Sequence, residues 1–206
     1  MKKLVSKLIF LAVVVLWATP LLAQETKLKS GALNFLKGEK TLNVEYAYDG
    51  LSVGKETEQA YTDKKVAEYN GKEAGKGDKW LEGWKSDRAK RFEPKFEELL
   101  NKQFFEKKID FHAGNDPHAK YTMVLKTLNL EPGWNAAILR APAQISTEAS
   151  FYEGADRANP LAVMTILKAP GRDAMGYDFD VGYRLQEGYA KTGKELGSFL
   201  IKKALK

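Results

Sequence analysis

The spacing of apolar residues changes several times along this chain, and the order of these changes restricts its fold more than any other feature. From residue 41 to residue 48, apolar and polar side chains alternate, which predicts a half-buried strand that ends in a turn at Asp49-Gly50. Helical spacing follows in a row of large residues, Trp80, Trp84, Arg88 and Phe92. Pro94 predicts a break or kink near Glu93, after which the helical pattern continues.

Alternation returns in the second half of the chain at residues 121–130 and 143–152, and Asn159-Pro160 introduces a third predicted strand at 161–168. Short polar connections separate these stretches, which favours an antiparallel meander. From Val181 onward, helical spacing without proline predicts one long helix, in which Gly193 and Gly197 suggest close packing onto the sheet. The order strand, helix, three strands, helix predicts an α+β fold, with a mostly antiparallel sheet and helices packed on one face.

The first residues have the three parts of a secretory signal peptide. A positive start is followed by an uncharged apolar stretch and then by a small residue before the predicted cut. These parts are Lys2, Lys3 and Lys7, then Leu8 to Ala18, then Ala23. We therefore expect the protein in the periplasm or outside the cell. Because the chain has no cysteine, we expect no lipid anchor through that residue.

The chain divides into a signal peptide (1–23), an N-terminal arm or first edge segment (24–40) and a single domain (41–206). The first segment holds three of the 33 Lys and Arg residues and none of the 27 acids, so 30 minus 27 leaves a charge of +3 beyond it. Such a balance lacks the strongly basic character of nucleic-acid binding domains, so we expect no nucleic-acid partner.

The motifs of common catalytic sites are absent from the sequence. It has no Gly-x-Ser-x-Gly elbow, no His-Glu-x-x-His pair and no cysteine for thiolate chemistry. The glycine-rich run 71–77 lacks the spacing of a phosphate-binding loop, so we interpret 61–77 as a mobile surface loop. Asp78 is then expected to cap a helix that starts at Lys79. We predict no catalytic residue and no cofactor.

Two polar clusters have the composition of a metal site. His112 and His118, the only histidines, lie beside Asp110 and Asp116, and nitrogen and oxygen ligands of this kind suit several metals. The turn formers between them favour a polar loop instead. In the second cluster, Asp173, Asp178 and Asp180 precede the last helix, where capping is favoured over a calcium site.

Tryptophans are the most distinctive candidates for a binding surface. Trp80 and Trp84 lie one helical turn apart, and Trp134 follows a Pro-Gly turn. Such residues stack on sugars or anchor protein interfaces, although the first two are also suited to docking their helix onto the sheet. A basic run around the same helix is suited either to anionic surfaces or to a solvated face: Lys85, Arg88, Lys90, Arg91 and Lys95.

The C-terminal half carries a resemblance to known proteins. Asp178-Phe179-Asp180 and the run from Tyr183 to Gly197 resemble an exported bacterial type of unknown function, and the leader ending Leu-Leu-Ala-Gln is similar to those of Bacteroidetes. Over about residues 40–205 the element order is similar to the two-layer α/β sandwich of the TolB amino-terminal domain and of ABC-transporter auxiliary lipoproteins. The resemblance implies a binding or scaffold module of the envelope. Lacking the lipid-bearing cysteine, this chain departs from the lipoproteins.

Two functions of different classes follow. The favoured one is an exported, non-catalytic binding or accessory module whose partner is an envelope protein or a glycan, with at most peripheral membrane contact. The alternative is an exported hydrolase of envelope or extracellular glycans, which requires two close carboxylates in a cleft near the tryptophans. Carriage of an apolar ligand requires a cavity between sheet and helices, which four large side chains are expected to fill: Phe96, Phe104, Phe151 and Phe199.

Overall fold

One layer of the protein is a mixed β-sheet, and the other consists of helices. The computed structural model describes residues 24–136, 139–171 and 180–205. The main strands in these residues are β1 (Glu25–Gly31), β2 (Thr41–Ala47), β5 (His112–Gly114), β6 (Tyr121–Glu131), β9 (Ala143–Glu153) and β10 (Ala162–Gly171). Their order across the sheet is β1-β10-β9-β6-β2-β5. Among the shorter strands, β3 (Ser52–Val53) pairs with β6 and β4 (Glu56–Thr57) pairs with β3. The remaining two, β7 (Trp134–Ala136) and β8 (Leu139–Ala141), form a separate hairpin.

The predicted antiparallel meander is confirmed as β6, β9 and β10, which are adjacent and antiparallel. At one edge β1 adds antiparallel to β10, so residues 24–40 include an ordered edge strand and not a mobile arm. On the other side β2 runs parallel to both β6 and β5, because the chain crosses from β2 to β6 through three helices. The predicted α+β fold is confirmed, with a sheet that is mixed at this side.

The helices are α1 (Glu58–Lys72), α2 (Lys76–Asp87), α3 (Glu93–Glu106) and α4 (Val181–Lys203) among the described residues. The predicted break near Glu93 is confirmed, because a π-helical segment (Arg88–Phe92) joins α2 to α3 and Pro94 occupies the first turn of α3. In the sheet, β9 alternates buried and half-buried side chains, and α4 packs on β9 and β10.

The prediction of a mobile loop at 61–77 is wrong, because most of this segment is helix α1. Thr57 caps its start by accepting a hydrogen bond from the backbone N–H of Ala60 at 3.2 Å. Tyr61 and Tyr69 on α1 pack against the tryptophans of α2, so tertiary contacts stabilise a helix whose sequence is mostly polar.

Asp78 does not cap α2 as expected from the sequence. The helix begins at Lys76, and its N-cap is Gly75, whose φ of 80° is left-handed. At Gly77 a β-carbon would overlap the carbonyl oxygen of Val66 on α1. This close approach of α1 and α2 sets the start of α2, and Asp78 lies within its first turn.

Large apolar side chains occupy the core between the layers. Phe96, Phe104 and Phe151 are buried as predicted, whereas Phe199 is only half-buried. Gly193 and Gly197 allow close packing, but the partner is α3 and not the sheet, since they face the backbone of Phe96 and the side chain of Gln103. No helix in the described ranges has the length and apolar character to cross a membrane.

Candidate functional site

Helix α2 and the π segment bring an aromatic pair and an ionic pair to one side of the molecule. Trp80, Trp84, Asp87 and Arg91 are spaced by four, three and four residues, which places them along one helical face. They line a cleft of about 570 Å³ between α1, α2 and the start of α4. We call this the tryptophan cleft; its lining residues are Tyr69, Trp80, Gly83, Trp84, Asp87, Arg91, Asp180, Val181 and Gly182.

The two tryptophans play different parts in this cleft. Their rings stack with centroids 5.6 Å apart and planes inclined by 27°, and Tyr69 contacts Trp80 edge-on at 5.7 Å. Trp84 is only 8% exposed, and its Nε1 donates a hydrogen bond to Glu58 Oε1 at 2.8 Å. Trp84 therefore docks α2 onto α1. Trp80 is half-buried and contributes to the wall of the cleft.

Opposite the aromatic wall, one guanidinium joins two carboxylates. Arg91 Nε lies 3.1 Å from Asp87 Oδ1, and Arg91 Nη1 lies 3.4 Å from Asp180 Oδ1. The same guanidinium lies over the ring of Tyr183, 4.4 Å from its centroid. At Gly182 a β-carbon would overlap Asp87 Oδ2, so the absence of a side chain there makes room for the cluster.

Asp180 also caps α4, as the sequence predicted. Its Oδ1 accepts hydrogen bonds from the backbone N–H groups of Gly182 at 2.7 Å and Tyr183 at 3.3 Å. Asp173 and Asp178, the other two acids of that prediction, lie outside the described residues. Burial raises the pKa of Asp87; the positive charge of Arg91 opposes this shift, and the negative charge of Asp180 adds to it.

The remaining candidates from the sequence lie away from this cleft. Trp134 is 51% exposed at the start of the β7–β8 hairpin and is not among the residues that line the cleft. His112 begins strand β5 and His118 follows it in a turn; both are exposed. Within the residues that the structure describes, no group of three or more His, Asp or Glu is arranged to hold a metal ion.

The basic run on α2 and α3 is largely paired with acids and is not an open cationic surface. Arg88 forms an ion pair with Glu58 and lies over the ring of Tyr48, 4.3 Å from its centroid. Lys95 Nζ lies 3.0 Å from Glu98 Oε2. Arg91 is held in the cleft, as described above. The solvated-face interpretation fits these contacts better than binding of anionic headgroups.

Sequence reasoning did not single out Asp87 or Tyr69. The spacing of Asp87 from Trp84 and Arg91 is helical, so the row from Trp80 to Arg91 contained a signal for it. Tyr69 lies in the segment interpreted as a loop, and only the packing of α1 on α2 brings it to Trp80.

Comparison with known proteins identifies no family for this chain. No family model matches the chain, and no curated protein matches it. Two solved PelC chains from Paraburkholderia phytofirmans are similar in structure, and both are described as dodecamers. One has a TM-score of 0.41 at 11% identity and the other, a point variant, 0.39 at 12%. Each match covers 89% of this chain and 100% of the PelC chain. A likeness this distant establishes neither a family nor a function.

Proposed function

We propose that this protein is an exported, non-catalytic binding module and that its tryptophan cleft binds a glycan. The observation that carries the proposal is the pairing of Trp80 and Tyr69 on one side of the cleft with Asp87, Arg91 and Asp180 on the other. A pyranose ring has an apolar C–H face that suits an aromatic wall, and hydroxyls that suit carboxylate and guanidinium groups. The signal peptide predicted at 1–23 supports action in the periplasm or outside the cell.

The dimensions of the cleft agree with this use. Its volume of about 570 Å³ falls within the range of small-ligand sites, roughly 300–1,000 Å³. Trp84 is fixed by its hydrogen bond to Glu58, and Trp80 stacks on Trp84, so the aromatic wall is formed before a ligand arrives. Preorganisation of this kind lowers the entropic cost of binding.

The arrangement of the carboxylates favours binding over hydrolysis. Glycoside hydrolysis requires one carboxyl group that gives up a proton and a second that acts at the anomeric carbon or on a water. Asp180 Oδ1 is engaged by two backbone N–H groups at the start of α4, and both carboxylates contact Arg91. These contacts hold the acids as hydrogen-bonding groups for sugar hydroxyls.

One observation favours the alternative, an exported glycan hydrolase. The raised pKa of Asp87 beside Asp180 places a more easily protonated acid next to a second carboxylate, which is the pattern of a general acid and its partner. For the protein to act as a hydrolase, the ion pair between Arg91 and Asp87 would have to break when substrate binds.

Titration of the mature protein with sugars tests the binding proposal. The probes are β-1,4-linked hexasaccharides of glucose, N-acetylglucosamine and glucosamine, followed by tryptophan fluorescence and by calorimetry. We expect at least one of them to bind, and Trp80→Ala to weaken that binding by about tenfold or more, since a central aromatic contact is worth at least about 1.4 kcal/mol. Trp134→Ala is the matched control, because it removes the same side chain outside the cleft.

Three outcomes would overturn or redirect the proposal. If the wild type binds none of the hexasaccharides, or if Trp80→Ala binds as tightly as the wild type, the cleft is not a glycan site. Thermal unfolding of Trp80→Ala and of the milder Trp80→Phe separates lost contact from lost fold. Release of new reducing ends by the wild type, abolished in Asp87→Asn, would establish the hydrolase instead.

A further inference from the structure

The end of the molecule opposite the tryptophan cleft has an exposed aromatic side chain. Phe105, in the last turn of α3, is 83% exposed, compared with 51% for Trp134 and 37% for Leu161, the other large apolar side chains exposed in the described residues. It shares a groove with the edge strand β5, and an adjoining groove reaches Ala204 and Leu205, just after α4. Single exposed apolar side chains are common on proteins, so Phe105 becomes informative only together with the grooves and charges around it.

Two grooves adjoin near the end of α3, and Phe105 lines the larger one. The larger, of about 630 Å³, is lined by Phe105, Ile109 and Lys102, and the smaller, of about 270 Å³, by Lys37, Ile109 and Leu205. Both are also lined by Lys40 and Asp110, whose side chains form an exposed ion pair at 2.6 Å. The grooves therefore adjoin at Lys40, Ile109 and Asp110, and lysines line both of them.

The net positive charge of the chain is concentrated here. We call this region the basic end and define it by Phe105, the two grooves, the three lysines that line them (Lys37, Lys40 and Lys102) and four lysines at the ends of α3 and α4 (Lys107, Lys108, Lys202 and Lys203). With Glu39, Glu106 and Asp110 as its acids, its charge is 7 minus 3, or +4. Residues 24–206 together carry +3, so the rest of that chain is close to neutral.

The backbone fixes the positions of Phe105 and its neighbouring lysines. At the end of α3, Lys108 N donates to Phe105 O and Ile109 N donates to Phe104 O, each at 3.0 Å, in the pattern of a Schellman cap. Lys108 holds the left-handed position, with φ 55°, where glycine is usual. The negative end of the helix dipole explains lysines at this place, but it does not explain an exposed phenylalanine between them.

We propose that the basic end binds the surface of an anionic lipid bilayer. In this arrangement Phe105 inserts at the level of the headgroups, and the surrounding lysines face the lipid phosphates. An exposed aromatic ring bordered by lysines is the combination that peripheral membrane proteins use, because apolar insertion and electrostatic attraction add. A second copy of the chain is a poorer fit, because an isologous contact would place one cluster of lysines against the other.

The architecture makes this inference independent of the glycan proposal. Helix α4 begins at the tryptophan cleft and ends at the basic end; its 23 residues span about 35 Å. A protein bound to a bilayer through the basic end would hold the cleft away from the membrane, open to a ligand.

Sedimentation with lipid vesicles tests the proposal on the mature protein. We expect binding to vesicles of phosphatidylcholine mixed with phosphatidylglycerol, little binding to phosphatidylcholine alone, and loss of binding as salt is raised. Phe105→Ser and the double variant Lys107→Gln, Lys108→Gln should each lower the partition coefficient by about tenfold. Leu161→Ser is the matched control, since it removes an exposed leucine elsewhere, and should bind as the wild type.

Four results would overturn the proposal. They are failure of the wild type to bind anionic vesicles, equal binding to both vesicle types, equal losses in Leu161→Ser and Phe105→Ser, and a Phe105-dependent dimer in analytical ultracentrifugation without vesicle binding. The last would assign the basic end to contact between copies. Circular dichroism and thermal unfolding of each variant confirm that the fold is retained, which is expected because every altered side chain is exposed or at the surface.

Discussion

At Gly182 and Gly193, both on α4, another part of the chain lies so close that a side chain would not fit. Gly182 leaves room for the Asp87 and Arg91 pair, and Gly193 faces the backbone of α3 at Phe96 and Leu100. In an open helix, glycine is less favourable than alanine by about 1 kcal/mol. At these positions a β-carbon would overlap neighbouring atoms, so we expect the close contact to outweigh that cost.

Two glycine substitutions measure this balance. Gly193→Ala should destabilise the protein by about 1–3 kcal/mol, because its β-carbon would overlap the carbonyl oxygen of Phe96. Gly83→Ala, inside α2 with no atom near its β-carbon position, should stabilise it by about 0.5–1 kcal/mol. Urea unfolding of both variants gives the two free energies. Equal effects of the same sign would show that α3 and α4 are not packed this closely.

Glu93 makes stability depend on pH. Burial raises the pKa of Glu93, and the negative charge of Glu97 raises it further. The hydrogen bond that the Tyr48 hydroxyl donates to Glu93 Oε1 at 3.1 Å and the positive charge of Arg88 both act to lower it. A carboxyl group with a raised pKa in the folded state costs stability as pH rises through its unfolded pKa, about 4.3, and above it.

Glu93→Gln keeps an acceptor for Tyr48 and removes the charge. We therefore expect this variant to be more stable than the wild type near pH 7, with the difference fading as pH falls below about 4. Chemical unfolding at both pH values provides the comparison. A variant that is less stable than the wild type at pH 7 but as stable as the wild type below about pH 4 would assign Glu93 a stabilising charge.

At the scale of elements, the π segment between α2 and α3 directs neighbouring side chains to different surroundings. Phe92 stacks on Tyr189 of α4 with centroids 4.9 Å apart and planes inclined by 9°, inside the core. Arg91, one residue earlier, lies in the tryptophan cleft, and Arg88 pairs with Glu58 on α1. A single π turn inserted between helices often marks a functional site, and here it adjoins the candidate one.

The end of α3 provides a test of helix capping. Lys108→Gly should stabilise the protein by about 1 kcal/mol, because glycine adopts a φ of 55° without the steric cost that lysine bears. Lys107→Gly is the control, since its φ of −94° suits any residue, and it should be neutral or slightly destabilising. Thermal unfolding compares the two. If Lys108→Gly is not more stable, the left-handed cap is absent in solution.

A helix or strand was predictable from the sequence where its apolar spacing matches the face that it buries in the fold. Strands β6 and β9 and helix α4 follow the alternation and spacing in the sequence, because each buries one face, and β10 follows the apolar run after Pro160. Helix α1 was missed, since its polar composition gives a weak helical pattern and its stability comes from contacts with α2. Strand β5 is three residues long, too short for a periodic signal.

For the whole molecule, the candidate surfaces lie at the two ends of α4. The tryptophan cleft carries aromatic rings and two carboxylates, whereas the basic end carries lysines and Phe105. A separation of about 35 Å exceeds the Debye length at physiological salt, about 8 Å, so charge at one end has little effect at the other.

The two surfaces should therefore act independently. Trp80→Ala should leave vesicle binding unchanged, and Phe105→Ser should leave hexasaccharide affinity unchanged, each within about twofold, because no coupling free energy is expected at this distance. Protein bound to vesicles should still bind sugar with the same affinity. Competition between sugar and vesicles would place both ligands on a single surface.

The sequence by itself determined the fold class, the meander and the last helix, and it named Trp80 and Trp84 as candidate binding residues. These features follow from local periodicity, because the spacing of apolar residues within an element shows which of its faces is buried. The cleft, the role of Tyr69, the parallel pairing of β2 and the concentration of lysines at one end were decided only by the tertiary structure. Each depends on segments far apart in the chain, and contacts between such segments leave no periodic signal in either one.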